Sequence, residues 1–393
     1  MKFVHVTDTH LGKSEAKLEE REKDFYSAFK QAIDFAIEKK VDFVIHTGDI
    51  FDKARPAVRT LVFAVEQLLR LKDAKIPCYT IAGSHDIGVD ETIISLLESI
   101  GLVKNLNAAR YYSSEGEYIK VDGEMIGDCF VCGVAGKRAR IKEIYERIKP
   151  EKKGKFNIFM LHHIVSDISE KFADIQSSLL PRGFDYYAAG HWHSYADFKH
   201  DEGVIVYPGS TEYNDLYEME KDENKYFVFV NTDPFNFEKI KLNIRKVVSK
   251  SIDCSGMDAQ EVSAKAVSNI ENADKHPILI VKLNGRLGKG TKSEIDRNEI
   301  IKDAETKGYL YTKIYLSSLE NPEAPFVSGK SKTSAEIERE YLSKQEYSED
   351  AIEVAQHLIS LLGNKTHADE SAAQVEAIEF LRVNLLENKK TNT

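Results

Sequence analysis

The sequence has no apolar run near the ~20 residues that a membrane-spanning helix requires, so we expect no membrane protein. It begins MKFVHVTDTH, without a basic segment followed by a long apolar stretch, and we expect no signal peptide. Only four cysteines occur among 393 residues, which excludes a disulfide-rich scaffold and fits a reducing compartment. The predicted location is therefore the cytoplasm.

Basic residues are in the minority, because 54 Lys and Arg stand against 64 Asp and Glu for a formal net charge of −10. That balance argues weakly against a general nucleic-acid coat protein. The charge is uneven, however. Residues 239–332 carry 17 basic against 12 acidic side chains, whereas residues 1–238 carry 31 against 40 and residues 333–393 carry 6 against 12. A basic region thus lies between two acidic ones.

Short β-branched runs alternate with amphipathic stretches through residues 1–238, which predicts an α/β domain with buried strands. The predicted strands are Phe3–Val6, Phe43–His46, Cys78–Ile81, Ile158–Leu161, Tyr186–Ala189, Val204–Tyr207 and Phe227–Val230. The predicted helices are Glu20–Glu38, Ala57–Leu71, Thr92–Ile100 and Ile141–Ile148.

The rest of the chain predicts two further parts. Residues 239–325 read as a small separate α/β unit that opens with a strand at Ile240–Lys246. Residues 326–334 have the Pro, Gly and Ser content of a linker. Residues 335–393 form a helical tail, with helices predicted at Ala335–Gln345, Glu349–Leu362 and Ser371–Glu387.

Side chains that bind metals follow five predicted strands. They are Asp8 and His10, then Asp49 with Asp52, then Ser84, His85 and Asp86, then His162, and finally His191 with His193. In open α/β sheets, sites form beyond the carboxyl ends of the strands. The five groups therefore predict one metal centre.

The spacing of these residues suits two cations. Asp8 and His10 are two positions apart, so in an extended strand both side chains point the same way, as do His191 and His193. Both oxygens of Asp49 could bridge two cations. Imidazole combined with carboxylate suits Mn²⁺, Fe²⁺ or Zn²⁺. Two such ions ~3.5–4 Å apart can bind a phosphate and activate a water as the nucleophile.

The ordered motifs D-x-H, G-D-x-x-D, G-[N]-H-D, H and G-H-x-H resemble those of the calcineurin-like metallophosphoesterases. Within that superfamily, VHVTDTHLG, GDIFDKARP, AGSHD, GHWHS and YPGSTE are similar to the nuclease subunit of the double-strand-break repair complex. That is the meiotic-recombination-eleven/SbcD family, in an archaeal-like form. The resemblance covers residues 1–215.

The resemblance implies a two-sheet sandwich flanked by helices, with residues 239–325 as a capping, DNA-binding domain. It implies two metal-ligand sets, which are Asp8, His10, Asp49 and His193 for one ion, and Asp49, Ser84, His162 and His191 for the other. By the same resemblance, His85 orients the phosphate and protonates the leaving oxygen. We expect Asp86 to fix the ring of His85, and Asp52 is a further candidate support.

Position 84 departs from the superfamily pattern, which usually has Asn where this chain has Ser84. An amide carbonyl is a better and longer-reaching ligand than a neutral hydroxyl. We therefore expect the second metal to be held more weakly than the first.

By resemblance, the chain is a Mn²⁺-dependent DNA nuclease with 3′-to-5′ exonuclease and single-strand endonuclease activity in recombination repair. It would hold two Mn²⁺ per chain, with Mg²⁺ or another divalent ion as alternatives. Its tail would bind a coiled-coil ATPase, and its location would be the nucleoid of a prokaryote. A homodimer would form through helices near 57–71 and 92–100, with Leu61, Val65, Leu68 and Leu69 on the dimer face.

Several simpler interpretations stay open. The chain could be another phosphoesterase acting on phosphoproteins or small phosphodiesters, or a non-catalytic DNA-tethering scaffold impaired at Ser84. Helices 57–71 and 92–100 could be ordinary core. The candidate DNA contacts, Arg55, Arg286, Lys289 and Lys292, could be solvated surface residues. Cys129 and Cys132 have C-x-x-C spacing but face opposite sides of a strand, and we interpret them as core thiols.

Overall fold

The computed structural model describes residues 1–14, 18–87, 93–106, 119–121, 123–136, 140–150, 152–221, 223–322, 333–343, 349–362 and 378. The chain divides into two compact units, residues 1–322 and 323–393. Most of the predicted linker and, apart from Ile378, all of the predicted helix at 371–387 lie outside the described residues. Within the described part, every helix is too short or too polar to cross a bilayer.

The observed helices include close counterparts of those predicted at 20–38, 57–71, 92–100, 141–148, 335–345 and 349–362. The observed helices are α1 (Glu19–Lys39), α2 (Val58–Asp73), α3 (Ile93–Ser99), α4 (Ile141–Arg147), α5 (Leu216–Lys221), α6 (Ala259–Asn269), α7 (Arg297–Thr306), α8 (Ser334–Ser343) and α9 (Glu349–Leu362). The strands up to residue 200 are β1 (Lys2–Val6), β2 (Phe43–His46), β3 (Cys78–Thr80), β4 (Lys104–Asn105), β5 (Ile119–Val121), β6 (Gly123–Ile126), β7 (Cys129–Val134), β8 (Ile148–Pro150), β9 (Phe156–Leu161), β10 (Tyr186–Ala189) and β11 (Ala196–His200). The later strands are β12 (Gly203–Tyr207), β13 (Tyr226–Thr232), β14 (Phe235–Lys241), β15 (Val247–Asp253), β16 (Ile278–Arg286), β17 (Tyr311–Tyr315) and β18 (Leu319–Glu320).

Two six-stranded sheets form the first part of the larger unit, in the orders β14-β13-β1-β2-β3-β4 and β11-β12-β10-β9-β7-β6. Their facing sides share one buried apolar cluster, which includes Phe3 and Phe43 from the first sheet and Ile158 and Tyr186 from the second. The outer face of the first sheet packs on α1 and α2, and the second sheet packs on α4. This arrangement confirms the predicted two-sheet sandwich flanked by helices.

The central strands of both sheets run parallel. In the first sheet β1, β2, β3 and β4 pair in parallel, and in the second β7, β9, β10 and β12 do so. Within each sheet the carboxyl ends of these strands therefore meet along one edge, where the polar strand-end residues of the sequence collect.

A third sheet, of strands β15, β16, β17 and β18, lies within the same compact unit. Helices α6 and α7 cover one of its faces and share a buried core with it. This is the small α/β element expected after residue 239, although β14 of the first sheet continues to Lys241. The predicted domain boundary between 238 and 239 stays a prediction.

The predicted strand Ile240–Lys246 is wrong. Strand β14 ends at Lys241 and β15 begins at Val247, and the residues between them connect two sheets. The reason is a side-chain anchor, because Arg245 forms an ion pair of 2.6 Å with Asp24 on α1. Arg245 also donates to the backbone carbonyl of His276 at 2.6 Å. These contacts hold residues 242–246 as a connection between two sheets rather than as a β-strand.

Helix α2 turns a different face outward from the one predicted. Leu68 is only 3% exposed and belongs to the core, and Leu61 and Val65 pack partly against that core. The exposed apolar side chains of α2 are instead Val58, Val62 and, as predicted, Leu69. Because these three positions are four and seven residues apart, they form one stripe along the helix.

All four cysteines are buried and free of disulfides. Cys132 belongs to the outer core of the second sheet and Cys129 to the core between the sheets, so the two face opposite sides as predicted. Burial raises the pKa of the Cys78 thiol to about 12 and also raises the pKa values of Cys129, Cys132 and Cys254. Since the thiolate is the reactive form, these thiols are inert in the native fold.

We predict that a thiol reagent such as DTNB labels no cysteine of the native protein and all four after unfolding in guanidinium chloride. Absorbance at the released thionitrobenzoate band measures both stages. Rapid labelling of even one thiol before unfolding would contradict the assignment of all four to the core.

Candidate metal centre

The candidate ligands lie just beyond the ends of five parallel strands. Asp8 and His10 follow β1, Asp49 follows β2, Ser84 and His85 follow β3, His162 follows β9, and His191 and His193 follow β10. The first three strands belong to one sheet and the last two to the other. The centre therefore spans the sandwich edge, with both sheets contributing candidate ligands.

The first cluster consists of Asp8, His10 and His193, whose ligand atoms all lie within 4.8 Å of one another. The Nε2 atom of His10 lies 3.8 Å from Oδ1 of Asp8, and Nε2 of His193 lies 3.7 Å from the same oxygen. The two Nε2 atoms are 3.4 Å apart. Two nitrogens bound to one cation at ~2.1 Å lie at roughly this separation, so the spacing suits a shared ion.

The second cluster consists of Asp49, His162 and His191, again within 4.8 Å of one another. His162 donates through Nδ1 to the backbone carbonyl of Thr47 at 2.7 Å, which turns its Nε2 atom toward Oδ2 of Asp49 at 3.1 Å. That same Nε2 atom lies 4.0 Å from Oδ1 of Asp8. The two clusters are therefore adjacent, as two cations sharing one substrate require.

Buried polar atoms without hydrogen bonds mark the interior of the centre. Among the described residues, Oδ1 of Asp8 and Nδ1 of His10 have no hydrogen-bond partner. Such orphan atoms are costly in a folded protein unless something else binds them. Carboxylate oxygens and imidazole nitrogens are ligands for divalent transition metals. The residues present thus fit a pair of divalent cations.

The charge state of the second cluster also fits a cation. Burial opposes ionisation of Asp49, but the nearby His162 and His10 and the backbone N–H of His85 outweigh burial and lower the pKa of Asp49. Conversely, the Asp49 carboxylate overcomes burial and raises the pKa of His162. Both shifts favour the ionised carboxylate beside a positively charged partner, a charge that a divalent cation would also supply.

Four candidate ligands have left-handed backbone conformations. The φ angles are 50° for Asp8, 40° for His10, 54° for Asp49 and 82° for His191. Such angles are uncommon outside glycine and, when they cluster, mark functional sites. The expected extended geometry for Asp8 with His10 and for His191 with His193 is therefore wrong. The side chains converge because the backbone turns sharply after each strand.

Two glycines permit this crowding. A Cβ atom on Gly83 would overlap the backbone nitrogen and the carboxylate of Asp49. A Cβ atom on Gly48, where φ is 101°, would lie 2.6 Å from Nδ1 of His162. The loops after β2 and β3 approach the second cluster so closely that these positions exclude any side chain.

His85 lies at the exposed rim of the centre, with its ring 4.9 Å from that of His10 in an edge-to-face arrangement. Its Nδ1 atom donates to the backbone carbonyl of Asp52 at 2.7 Å. Asp86 therefore does not hold this ring, in contrast to our expectation. Instead, the buried Asp86 carboxylate accepts from the backbone N–H groups of Ile50, Phe51 and Gly83, which joins the loops after β2 and β3.

Ser84 and Asp52 occupy supporting positions. The Ser84 hydroxyl donates to Oδ2 of Asp49 at 3.2 Å. The Asp52 carboxylate lies 4.0 Å from Nδ1 of His10 and 3.6 Å from Nζ of Lys13. Beside them, a cleft of about 590 Å³ is lined by Ser84, His85, Asp52 and their neighbours. The cleft gives a substrate direct access to the rim of the centre.

Comparison with known proteins agrees with this geometry. Residues 1–195 match the calcineurin-like phosphoesterase family. The DNA double-strand break repair protein Mre11 of Sulfurisphaera tokodaii is 32% identical over 313 residues, which cover 77% of this chain and 76% of that protein. Its namesakes in Methanocaldococcus jannaschii and Sulfolobus acidocaldarius are 32% and 33% identical, cover 72% of this chain, and are themselves covered to 76% and 75%. The chain belongs to the Mre11 family.

Membership of the Mre11 family confirms several predictions. The chain is a metal-dependent phosphodiesterase with a calcineurin-like phosphoesterase domain. Its described candidate metal-binding residues form the two clusters above and a third group, His10, Asp52 and His85, that shares His10 with the first. The roles of the individual residues, including Asp8, His85 and Ser84, stay predictions.

The candidate DNA contacts of this Mre11-family chain lie in two places. Arg55 is exposed between β2 and α2, close along the chain to the cleft residues. Arg286, Lys289 and Lys292 lie at and beyond the end of β16 in the third sheet. Arg286 forms an ion pair of 2.7 Å with Glu320, so part of its charge is already compensated.

Sequence reasoning missed three residues beside the centre. Lys13 places its ammonium group next to Asp52 at the cleft. Glu218 accepts a hydrogen bond of 2.7 Å from Nδ1 of His193, and Lys225 pairs with the other Glu218 oxygen at 2.6 Å. Burial alone would raise the pKa of Glu218, but His193 and Lys225 outweigh it and lower that pKa to about 2. A separation of 25 residues between His193 and Glu218 left no local pattern to detect.

Proposed function

We propose that this chain is a Mn²⁺-dependent DNA nuclease that hydrolyses phosphodiester bonds as a 3′-to-5′ exonuclease and single-strand endonuclease. It would act in double-strand break repair with a coiled-coil ATPase partner. The observation that carries the proposal is the pair of adjacent Asp/His clusters beside an open cleft. The substrate class rests on relatives named DNA double-strand break repair proteins.

The proposed ligand sets follow the two clusters. Asp8, His10 and His193 hold one cation together with Asp49, and Asp49, His162 and His191 hold the other, with Ser84 nearby. When bound, two divalent ions supply an activated water and neutralise the phosphate charge. Mixed imidazole and carboxylate ligands suit Mn²⁺, Fe²⁺ or Zn²⁺. Of these we propose Mn²⁺ on the family resemblance, with Mg²⁺ or another divalent ion as alternatives. The protein's own part is to hold these side chains and to orient the phosphate.

His85 is the proposed general acid. Because its Nδ1–H is engaged by the Asp52 carbonyl, Nε2 is the ring nitrogen that gains and loses a proton. That hydrogen bond is compatible with both charge states, since Nδ1 carries a hydrogen in each. The ring stands at the cleft between Ser84 and His10, where it can reach a leaving oxygen. Protonation of that oxygen by Nε2–H lowers the barrier to bond cleavage.

We predict that the wild-type chain shortens a labelled oligonucleotide with Mn²⁺ and not with chelator. His85→Ala should lower the cleavage rate by ~10²–10⁴-fold, because the general acid is lost. Calorimetry should show unchanged Mn²⁺ binding in that variant. His276→Ala, which removes an exposed histidine of the third-sheet region, is the matched control and should cut normally.

Other outcomes separate the competing functions. A wild-type chain that hydrolyses an aryl phosphodiester and never cuts DNA would favour a phosphoesterase with another substrate. A chain that binds DNA and the ATPase, in wild type and His85→Ala alike, and cleaves nothing would favour the scaffold. Loss of Mn²⁺ binding in His85→Ala would show that His85 is a ligand rather than the acid.

The second cluster has a weaker ligand set than the first. Ser84 offers only a hydroxyl, and that hydroxyl donates its hydrogen to Asp49 Oδ2, an atom needed by the cation. A neutral hydroxyl is a poor ligand, and here it also competes for the carboxylate.

We therefore predict two unequal Mn²⁺ sites in a calorimetric titration of the wild-type chain. Ser84→Asn should tighten the weaker site by about tenfold, equivalent to ~1.4 kcal/mol of binding free energy, because an amide oxygen joins the ligands. Ser84→Ala is the control, because it removes the hydrogen bond to Asp49 without adding a ligand. It should tighten the weaker site less than Ser84→Asn does. Two equally tight sites in the wild type, or no effect of Asn, would refute the assignment.

The proposed partners follow from the exposed apolar surfaces. Val58, Val62 and Leu69 form an apolar stripe on α2 that suits a homodimer contact, and Leu96 on α3 is a further exposed apolar side chain. Ile337 and Tyr341 on α8 and Ile359 on α9 are exposed apolar side chains of the tail, which we propose binds the ATPase. We propose further that Arg55, Arg286, Lys289 and Lys292 contact the DNA backbone, and that the protein works in the cytoplasm at the nucleoid.

Deleting residues 335–393 should abolish ATPase binding and leave both the dimer and basal nuclease activity intact, because α2, α3 and the metal centre lie outside the deletion. Pull-down with the purified ATPase and light scattering measure the two interactions. A folded truncation that still binds the ATPase would contradict the role of the tail. A monomer in scattering of the full chain would contradict the dimer.

A further inference from the structure

The ring of His193 is held by a side chain from another element. Its Nδ1–H donates to Oε1 of Glu218 at 2.7 Å, which leaves Nε2 directed at Asp8 and His10. Glu218 lies on α5, a short helix that follows the loop after β12. A carboxylate that binds the distal nitrogen of a metal-binding histidine fixes both the tautomer and the ring orientation.

Glu218 is itself fixed by Lys225. The Lys225 side chain is 3% exposed, and its ammonium group donates to Oε2 of Glu218 at 2.6 Å, to the hydroxyl of Ser210 at 2.8 Å and to the backbone carbonyl of His193 at 3.0 Å. The backbone N–H of Asn214 donates to the same Glu218 oxygen at 3.0 Å. The network therefore holds the ring of His193 at one end and its backbone at the other.

The other histidines of the two clusters are supported differently. His162 is oriented by the Thr47 carbonyl, which belongs to the end of a central strand. Nδ1 of His10 has no hydrogen-bond partner among the described residues. Nε2 of His191 lies 3.8 Å from the Asp174 carboxylate, beyond hydrogen-bond distance. Among the described histidines of the two clusters, His193 is thus the one that donates a short hydrogen bond to a carboxylate that is not itself a candidate ligand.

Helix α5 also packs against the third sheet. The side chain of Met219 is fully buried in a small apolar cluster with Ile278 and Ile280 of β16. The next residue, Glu220, forms an ion pair of 3.1 Å with Lys282 on the same strand. Three consecutive residues of α5, Glu218, Met219 and Glu220, therefore connect the proposed metal ligand His193 to β16, the central strand of the third sheet.

We propose that Glu218 is a positioning residue for His193 and that α5 couples cation affinity at the first cluster to the packing of β16. This inference rests on the proposed two-cation function. A shift of β16 moves Met219 and Glu220, hence Glu218, and so changes the orientation of the His193 ring. By linkage, a cation at the first cluster also favours the packed arrangement of the third sheet. The second cluster has no such connection through α5.

The first test is calorimetric Mn²⁺ titration of the full chain carrying Glu218→Ala. Affinity at the first cluster should fall by ~10–100-fold, the usual effect of losing such a supporting carboxylate, while the second cluster keeps its affinity. Glu218→Gln should fall between Ala and wild type, because its amide oxygen still accepts from Nδ1 but lacks the charge. Circular dichroism checks that both variants fold.

The second test separates coupling from general damage to the third sheet. Ile280 and Leu279 are neighbours on β16, both fully buried, but Ile280 faces α5 and Leu279 faces the α6 and α7 side. Ile280→Ala should weaken Mn²⁺ binding at the first cluster, and Leu279→Ala should not, although both create a cavity of similar size. In the Glu218→Ala background, Ile280→Ala should have no further effect on that affinity. Lys282→Met replaces Ile280→Ala if the latter does not fold.

Hydrogen exchange gives a readout that is independent of activity. Mn²⁺ should slow amide exchange in α5 and β16 of the wild type and not in Glu218→Ala. Equal losses at both clusters, equal effects of Ile280→Ala and Leu279→Ala, or unchanged affinity in Glu218→Ala would each overturn the inference. A wild-type chain that binds no Mn²⁺ would instead reject the proposed function.

Discussion

Two carboxylates, Asp8 and Asp49, are buried almost completely at the edge of the sandwich, and the rest of the centre is arranged around that fact. Burying two like charges close together is costly unless hydrogen bonds and positive charge compensate them. The backbone N–H of His191 donates to Asp8 at 3.0 Å, and that of His85 donates to Asp49 at 2.7 Å. The His191 group follows a strand of the second sheet, and the His85 group follows a strand of the first. Both sheets must therefore be assembled before the two buried carboxylates are fully compensated.

The two-sheet sandwich was implied by the family resemblance. The sequence alone was sufficient for an α/β domain with buried strands and for the list of residues that converge, because strand periodicity and strand-end motifs are local signals. The sequence was not sufficient to predict the backbone conformations that bring the candidate ligands together. Left-handed angles at Asp8 and His191 cannot be read from residue type, since both are usually right-handed or extended. The partner of His85 was missed for a related reason, because it is a backbone carbonyl, and every residue carries one. Arg245 shows the same limit, since a β-rich stretch became a connection through an ion pair formed far away in the chain.

The two clusters differ in what supports them. The second is built on strand ends and on backbone groups such as the Thr47 carbonyl, and close glycine contacts leave it little room to move. The first relies on His193, whose supports belong to a loop and a short helix in contact with another sheet. The better ligand set thus has the more adjustable support, and the poorer ligand set, with Ser84, has the more rigid one. Higher affinity and adjustable support are therefore both assigned to the cation of the first cluster.

The strained backbone at the candidate ligands has a consequence for the evolution of the protein. Left-handed conformations at non-glycine positions cost of order 1–3 kcal/mol each when the residue does not suit them. Asp8, His10, Asp49 and His191 thus oppose folding locally, and the apolar cores around them must compensate. A glycine at any of these positions would relieve that strain while removing a ligand. Substitutions chosen for thermal stability alone would therefore remove ligands from this centre, so local stability and metal binding oppose each other at these positions.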